Sequence, residues 1–329
     1  MTNSTLRTLL FAGLVLVSAT TVAADITQRP DVQQFIAAMA KQHRFEADDL
    51  TLLFRRIELK PDIVAAMSRP AEAKPWHQYR PIFVTQKRAR EGAEFMKRNR
   101  ETLARAEATY GVPPQIVAAI IGVESRYGQH HGKHRVLDAL ATLAFDFPRR
   151  AHYFRTELTQ FLLLARDEGV DPASVMGSYA GAMGMPQFMP SSYRLYAVDF
   201  DGDGKRDLWN NTVDTIGSVA HYFQIHGWVK NQPVTVRARV VGNDYKELLG
   251  AGMKPKQTLD QLKQRGISVD GTLSVDLKAT LIALENSQNT EHWVGLQNFY
   301  VITRYNHSRM YAMAVYQLSE AFANPSALN

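Results

Sequence analysis

The sequence predicts a mainly α-helical protein, α+β overall, in which one small strand-bearing module interrupts a helical chain. Three observations lead there. Apolar residues recur at three-to-four spacing from Asp31 to Tyr110, again from Val112 to Gly227, and again from Asn298 to Phe322. Period-two alternation is confined to a short stretch after Trp228. The composition, 45% hydrophobic and 21% charged over 329 residues, is that of a chain able to bury cores, which excludes a disordered or fibrous protein. No internal repeat or low-complexity tract is present.

The first 24 residues read as a secretory signal peptide. Arg7 supplies the positive start, Leu9 to Val17 the apolar run, and Val22-Ala23-Ala24 the small residues before a cut ahead of Asp25. The run falls short of the ~20 residues that span a bilayer, so no stable membrane insertion is expected. Cysteine is absent, which excludes disulfides, thiolate catalysis, thiolate metal sites and lipidation of a processed N-terminal cysteine. The expectation is a soluble periplasmic protein.

Residues 25–110 are expected to form an N-terminal helical domain. Phe35, Ile36, Met39, Leu50, Leu53, Phe54 and Ile57 mark its buried faces, and Pro61, Pro70, Pro75 and Pro81 cut it into short helices. Val84 to Tyr110 reads as one long helix bearing Lys87, Arg88, Arg90, Lys97, Arg98 and Arg100. With 38 basic against 32 acidic residues the chain carries only +6, and no aromatic platform is interleaved with these cations, so a solvated face is expected and no nucleic acid partner. Residues 111–228 are the first part of a helical core. Residues 229–292 form the small inserted α+β domain, with strands at Val234 to Val240 and Leu277 to Leu284 and a helix at Thr258 to Arg265. Residues 293–329 return to helix and complete the core.

Pro113 to Gly128 carries the most information. Pro114 suits a first helical turn and Gly128 an end, and nearly everything between is apolar or small, as in a helix buried on all sides. Glu124 shares a face with Val117, Ile120 and Ile121. A carboxyl held against aliphatic walls loses hydration, and its pKa rises toward the range of a general acid. A helix-end glutamate paired with a cation or wetted by solvent fits the same spacing. Met176 to Tyr193 mixes glycine and alanine with Ser, Tyr, Gln and Phe, as a loop that contacts sugars would; a plain tight connection is equally compatible, and its glycines lack phosphate-loop spacing.

Asp199, Asp201 and Asp203 stand at positions 1, 3 and 5 with Gly204 at 6, the opening half of an EF-hand-like loop whose oxygens suit Ca²⁺. Position 12 is Asn210 rather than a bidentate glutamate. His130, His131 and His134 lack a further ligand at zinc spacing and read as an exposed loop.

Gly122-Val123-Glu124-Ser125-Arg126-Tyr127-Gly128, Gly177 to Gly184 with Gln187 to Tyr193, and Tyr300 to Ser308 together resemble the lytic murein transglycosylase B family, in order and across nearly all of the chain after the signal segment. The resemblance implies a lysozyme-like catalytic core and an enzyme that cuts the β-1,4 bond between N-acetylmuramic acid and N-acetylglucosamine in peptidoglycan glycan strands, leaving 1,6-anhydromuramic ends. In that family the glutamate equivalent to Glu124 is acid and then base. No second carboxylate can be named: Asp138 and Asp146 are nearest in sequence. A conventional glycosidase needs one at roughly 5–9.5 Å. An intramolecular hydroxyl nucleophile removes that need. Carried over by position, Ser178 implies a hydroxyl bonded to the catalytic carboxyl and Asn306 an amide near the N-acetyl group. Gln187, Phe188, Tyr222, Tyr305 and Tyr311 imply the lining of the glycan groove, and Arg149, Arg150 and Tyr153 a substrate-contacting edge. The related metal loop is longer and closes with an aspartate, here Asp214, with Lys205 giving its carbonyl; the ion would be structural Ca²⁺, and no cofactor serves catalysis. Other cell-wall enzymes are expected as partners. Met185-Pro186 receive no role. A muramidase-type hydrolase and a non-catalytic glycan-binding envelope protein are the alternatives.

Overall fold

In the computed structural model, residues 25–68, 74–271 and 273–328 are described. The signal segment and Pro70 lie outside them. Among the described residues no helix is long and apolar enough to cross a membrane.

Among the described residues up to 110 the α-helices are α1 Pro30–His43, α2 Ala47–Phe54, α3 Pro61–Met67, α4 Trp76–Phe83, α5 Gln86–Arg98 and α6 Arg100–Tyr110. Prolines open α1 and α3, where their missing N–H costs no intrahelical bond. The single long helix expected from Val84 to Tyr110 is two helices. At Asn99 the backbone leaves the helical region (φ −110°, ψ 24°) and the side-chain amide bonds the Phe95 carbonyl at 2.9 Å, the local competition that makes asparagine a helix breaker. The expected solvated basic face is also corrected in part: Arg88 is half-buried, with Nη1 on the Ile82 carbonyl, and dehydration lowers its pKa.

The core continues with α7 Pro114–Ser125, strand β1 His134–Arg135, α8 Val136–Asp146, α9 Ala151–Asp167, β2 Met176–Gly177, α10 Pro190–Tyr196 and α11 Thr212–Ile225. β1 and β2 pair as a two-stranded ribbon. Every residue of α7 from Ile116 to Val123 is buried, so the helix lies inside the bundle against α5, α6, α11 and the later α14.

The inserted module holds β3 Thr235–Val240, β4 Gln257–Thr258, α12 Leu259–Gln264, β5 Ile267–Val269, β6 Lys278–Glu285 and β7 Thr290–Gly295. Its sheet is antiparallel with order β4-β6-β7-β3-β5. The two strands and the helix read from sequence lie where expected, and Thr258 caps α12 through a capping box. Sequence reading missed β4, β5 and β7, and β7 runs to Gly295, past the boundary expected at 292. The middle of β6, Leu281 to Leu284, is apolar throughout because both its faces are covered: Leu281 joins the module's own core, while Ile282 and Leu284 join the main helical core. The chain returns through α13 Gln297–Tyr305 and α14 Arg309–Ala321. Buried Asn298 ties exit to re-entry, accepting from Val229 N at 2.8 Å and donating to the carbonyls of Val229 and Gln232 at 2.9 and 2.7 Å.

Candidate active site

Glu124 occupies the last turn of α7, one residue before its end. The neighbouring positions of the helix are buried, but Glu124 keeps some solvent contact. Its carboxyl has one hydrogen-bond partner among the described residues: Tyr311 Oη, on the first turn of α14, donates to Oε1 at 2.5 Å. Dehydration raises its pKa to about 7, against the smaller lowering effect of the Tyr311 bond. A cation-paired glutamate is thereby excluded. Tyr311 itself is held neutral, its pKa pushed well up by burial and by the Glu124 charge.

The two carboxylates nearest in sequence are engaged elsewhere. Asp138 is buried under a bidentate bond from Arg135 at 2.7 and 3.0 Å and accepts the Glu58 N–H at 3.0 Å. Asp146 pairs with Arg29 at 2.5 Å.

Around the acid stands an aromatic cluster. Tyr305 lies nearly parallel to Tyr311 with centroids 6.5 Å apart, and packs on Tyr222 at 4.9 Å and Phe188 at 5.8 Å. Each hydroxyl is anchored: Tyr305 Oη donates to the Pro186 carbonyl at 2.5 Å and Tyr222 Oη to the Arg304 carbonyl at 2.7 Å. Pro186, which had no role in the sequence, is therefore what aims Tyr305. Phe188 is held by a pair of backbone bonds with Met183 at 2.9 and 3.0 Å. Gln187 adopts a left-handed backbone (φ 50°), and its amide donates to the Gly184 carbonyl at 2.9 Å.

Ser178 departs from the expected bond to the carboxyl. Its Oγ accepts from the Ala182 and Ala180 N–H groups at 3.0 and 3.2 Å, shaping the loop, and the hydrogen bond to Glu124 comes from Tyr311 instead. Asn306 Oδ1 accepts the Ser308 N–H at 3.1 Å just before α14, leaving its Nδ2 donors without a protein partner among the described residues. Arg149, Arg150 and Tyr153 are exposed at the start of α9. Arg150 lies over the Tyr153 ring at 4.4 Å and close enough to His307 for its charge to lower that histidine's pKa, after burial and Arg304. Burial first, then Glu157, pushes the Tyr153 pKa up to about 12.

Sequence reasoning missed His226, whose ring stacks on Tyr222 at 4.0 Å and bonds the Tyr222 carbonyl at 2.7 Å through Nδ1. The four-residue spacing on α11 was the available signal. It also missed Glu157, which accepts from Ser191 N and Oγ at 2.9 and 2.7 Å and so holds the start of α10.

In the acidic loop, carboxylate oxygens of Asp199, Asp201 and Asp214 lie within 4.8 Å of one another. Asp199 accepts the N–H groups of Gly202, Asp203 and Gly204, and buried Asp214 those of Phe200 and Asp207, so the turn is wrapped around its own acids. Burial, and the Asp201 charge beyond it, raises the Asp214 pKa. Among the described residues none of these acids has an ion-pair partner, and three converging hard oxygens fit a divalent cation. Asp203 departs from the expected set: it accepts the Lys205 N–H at 2.9 Å and is not in the cluster. His130, His131 and His134 form no such group.

A half-buried carboxyl with a raised pKa, set beside a cluster of aromatic rings in a helical core, is the arrangement of a general acid. Residues 27–320 match the transglycosylase SLT domain family. The chain is 45% identical over 312 residues to membrane-bound lytic murein transglycosylase B of Escherichia coli (strain K12), covering 92% of this chain and 85% of that protein. Soluble lytic transglycosylase SltB1 of Pseudomonas aeruginosa superposes with a TM-score of 0.85 at 50% identity, over 89% of this chain and 98% of that one. The E. coli lytic transglycosylase Slt35, solved in complex with calcium, gives 0.83 at 45% identity over 91% and 94%. The chain belongs to the transglycosylase SLT family and is a lytic transglycosylase of the murein transglycosylase B type.

Proposed function

We propose that this enzyme cuts the β-1,4 bond between N-acetylmuramic acid and N-acetylglucosamine in peptidoglycan with Glu124 as its single acid and base. The observation that carries the reading is a carboxyl with a pKa near 7, donated to by a tyrosine, with Asp138 and Asp146 both engaged elsewhere. Glu124 gives its proton to the glycosidic oxygen, and the C1–O4 bond breaks as positive charge develops at C1. The resulting carboxylate, stabilised by the Tyr311 hydroxyl, takes the proton of the C6 hydroxyl as O6 bonds to C1. The proton returns to Glu124, no water is consumed, and the product ends in a 1,6-anhydro ring. Tyr222, Tyr305, Phe188 and Gln187 would line the groove, the free amide protons of Asn306 would meet the N-acetyl group, and Arg149, Arg150 and Tyr153 would form the outer edge. Ser178 acts through the loop it shapes.

Asp199, Asp201 and Asp214, with the Lys205 carbonyl, would hold a structural Ca²⁺, an assignment supported by the three converging carboxylates. The bound ion would neutralise the loop's charge and would take no part in bond cleavage. The signal segment and the lack of cysteine support a free periplasmic protein, and the division into a helical domain at 25–110, a core at 111–228 and 293–329 and an inserted module at 229–292 remains the reading of its architecture. Mass spectrometry of fragments released from purified sacculi, beside Glu124→Gln, tests the reaction. Glu124-dependent anhydromuramic ends are expected. Reducing ends would establish a hydrolase, and no products from either protein a binding role.

A further inference from the structure

We propose that Glu91, on α5 of the N-terminal helical region, is a positioning residue for Glu124, acting through Arg126 on the backbone turn that follows the acid. The proposal rests on the reading of Glu124 as the catalytic group.

Glu124 stands where a helix is weakest, since the last turn of α7 lacks the next turn's N–H groups. Beyond it the chain passes through two successive left-handed residues that both carry a Cβ, Arg126 (φ 51°, ψ 54°) and Tyr127 (φ 59°). Their N–H groups both return to the Ile121 carbonyl. Residues other than glycine avoid this region, so such a turn persists only where its surroundings over-determine it. Within the turn Ser125 Oγ accepts the Gly128 N–H at 3.0 Å, and from outside one face of α5 anchors both left-handed residues. Glu91 takes both arms of the Arg126 guanidinium, Nε at 2.9 Å and Nη2 at 2.7 Å. Three residues earlier, the Arg88 carbonyl accepts the Tyr127 hydroxyl at 2.8 Å, and four residues later Phe95 packs on the Tyr127 ring at 5.4 Å. The tyrosine reaches α5 because Gly92 and Gly122 carry no side chain; a Cβ at either would lie 2.5 Å from Tyr127. Residues 88, 91 and 95 thus hold one turn at three points, and that turn holds the last turn of α7 in register with Tyr311.

The pair is half-buried on both sides, and its two parallel bonds fix the orientation of the guanidinium as well as its place. Releasing it lets Arg126 relax toward ordinary backbone geometry, and the carboxyl two residues earlier shifts from Tyr311 and gains water. Two changes follow. Proton transfer loses alignment, so kcat falls while substrate contacts made elsewhere keep KM. The Glu124 pKa drops from about 7 toward its ordinary value, so activity that needs the protonated acid is lost at lower pH.

The test compares wild type, Glu91→Gln, Glu91→Ala and the double variant Glu91→Ala/Arg126→Gly on soluble glycan fragments, with Glu124→Gln as control. Glu91→Gln, which keeps one acceptor, decides the matter if Glu91→Ala fails to fold. Expected are a tenfold or greater loss of kcat, KM within twofold, an alkaline limb moved to lower pH, and recovery in the double variant, because glycine enters the left-handed region without penalty. Unchanged kcat and pH limb in both single variants would overturn the proposal, as would a loss matched by KM with the limb unmoved. Activity that survives in Glu124→Gln would overturn the underlying reading instead.

Discussion

Replacing Tyr311 with phenylalanine isolates one hydrogen bond at the acid. The hydroxyl donates to Glu124 Oε1 at 2.5 Å and favours the ionised carboxylate, while dehydration favours the neutral acid and prevails, leaving a pKa of about 7. A hydrogen bond to a charged group contributes about 1.5–3 kcal/mol, and one pKa unit is about 1.4 kcal/mol. Part of the bond persists with the neutral acid, so its loss raises the pKa by about one unit. The acid then stays protonated to higher pH, and the alkaline limb of kcat/KM moves up by about that amount. Maximal kcat falls about tenfold, because the carboxylate formed by the first proton transfer loses its stabilising donor. The assay is release of anhydromuramic fragments between pH 4 and 9. An alkaline limb that stays in place, or moves down, would refute the assignment of Tyr311 as the group that tunes Glu124.

Glu124→Gln should lower turnover by about 10²–10⁴-fold or more with the fold intact, as expected for loss of a general acid that acts in both steps. The same substitution alters stability with a definite sign. The carboxyl's pKa is higher folded, about 7, than its ordinary value of 4.5, so the folded state binds more protons and wild-type stability falls as pH rises from 4.5 to 7, then levels off. The glutamine variant lacks that loss, and chemical denaturation at pH 8 should find it more stable by on the order of 2 kcal/mol after allowing for the residual solvent contact of the acid. Ca²⁺ at ~100 times its Kd should stabilise the protein by about 2.7 kcal/mol, seen as a Tm several degrees higher, and Asp201→Asn should abolish most of that rise. Asn298→Ala strands the Val229 N–H and the Gln232 carbonyl where the inserted module joins the core, while the Val229 carbonyl keeps the Gln232 N–H, and should cost about 2 kcal/mol in denaturant melts without moving the pH limbs.

Much of the architecture was legible because it is written in local pattern. The helix opened by Pro114, the all-round burial of α7 and the alternation in β3 each follow from neighbours in sequence, whereas α10, opened by Pro190, lies partly in a stretch that reads as loop. The failures share a cause. β7, Thr290-Glu291-His292-Trp293-Val294-Gly295, is short and partly polar, and becomes a strand by pairing with β3 and β6 on either side. The break at Asn99 is a contest between a side-chain amide and the helix ladder that helical periodicity does not register.

At the site, local sequence placed Glu124 at the end of an apolar helix and put three aspartates in one turn, because both are matters of spacing along a few residues. Motif resemblance supplied Tyr222, Tyr305, Tyr311 and Asn306. Which hydroxyl bonds the acid was decided only by tertiary structure: Tyr311 lies 187 residues from Glu124, and Ser178, the expected partner, is occupied by backbone amides of its own loop. The same holds for Asp214, brought against Asp199 and Asp201 by the start of α11, and for Glu91 against Arg126. A pattern in sequence can show that a carboxyl will be surrounded by carbon. It takes the packing of separate helices to set how much water remains and which donor faces the charge, and those two quantities make the proton available near neutral pH.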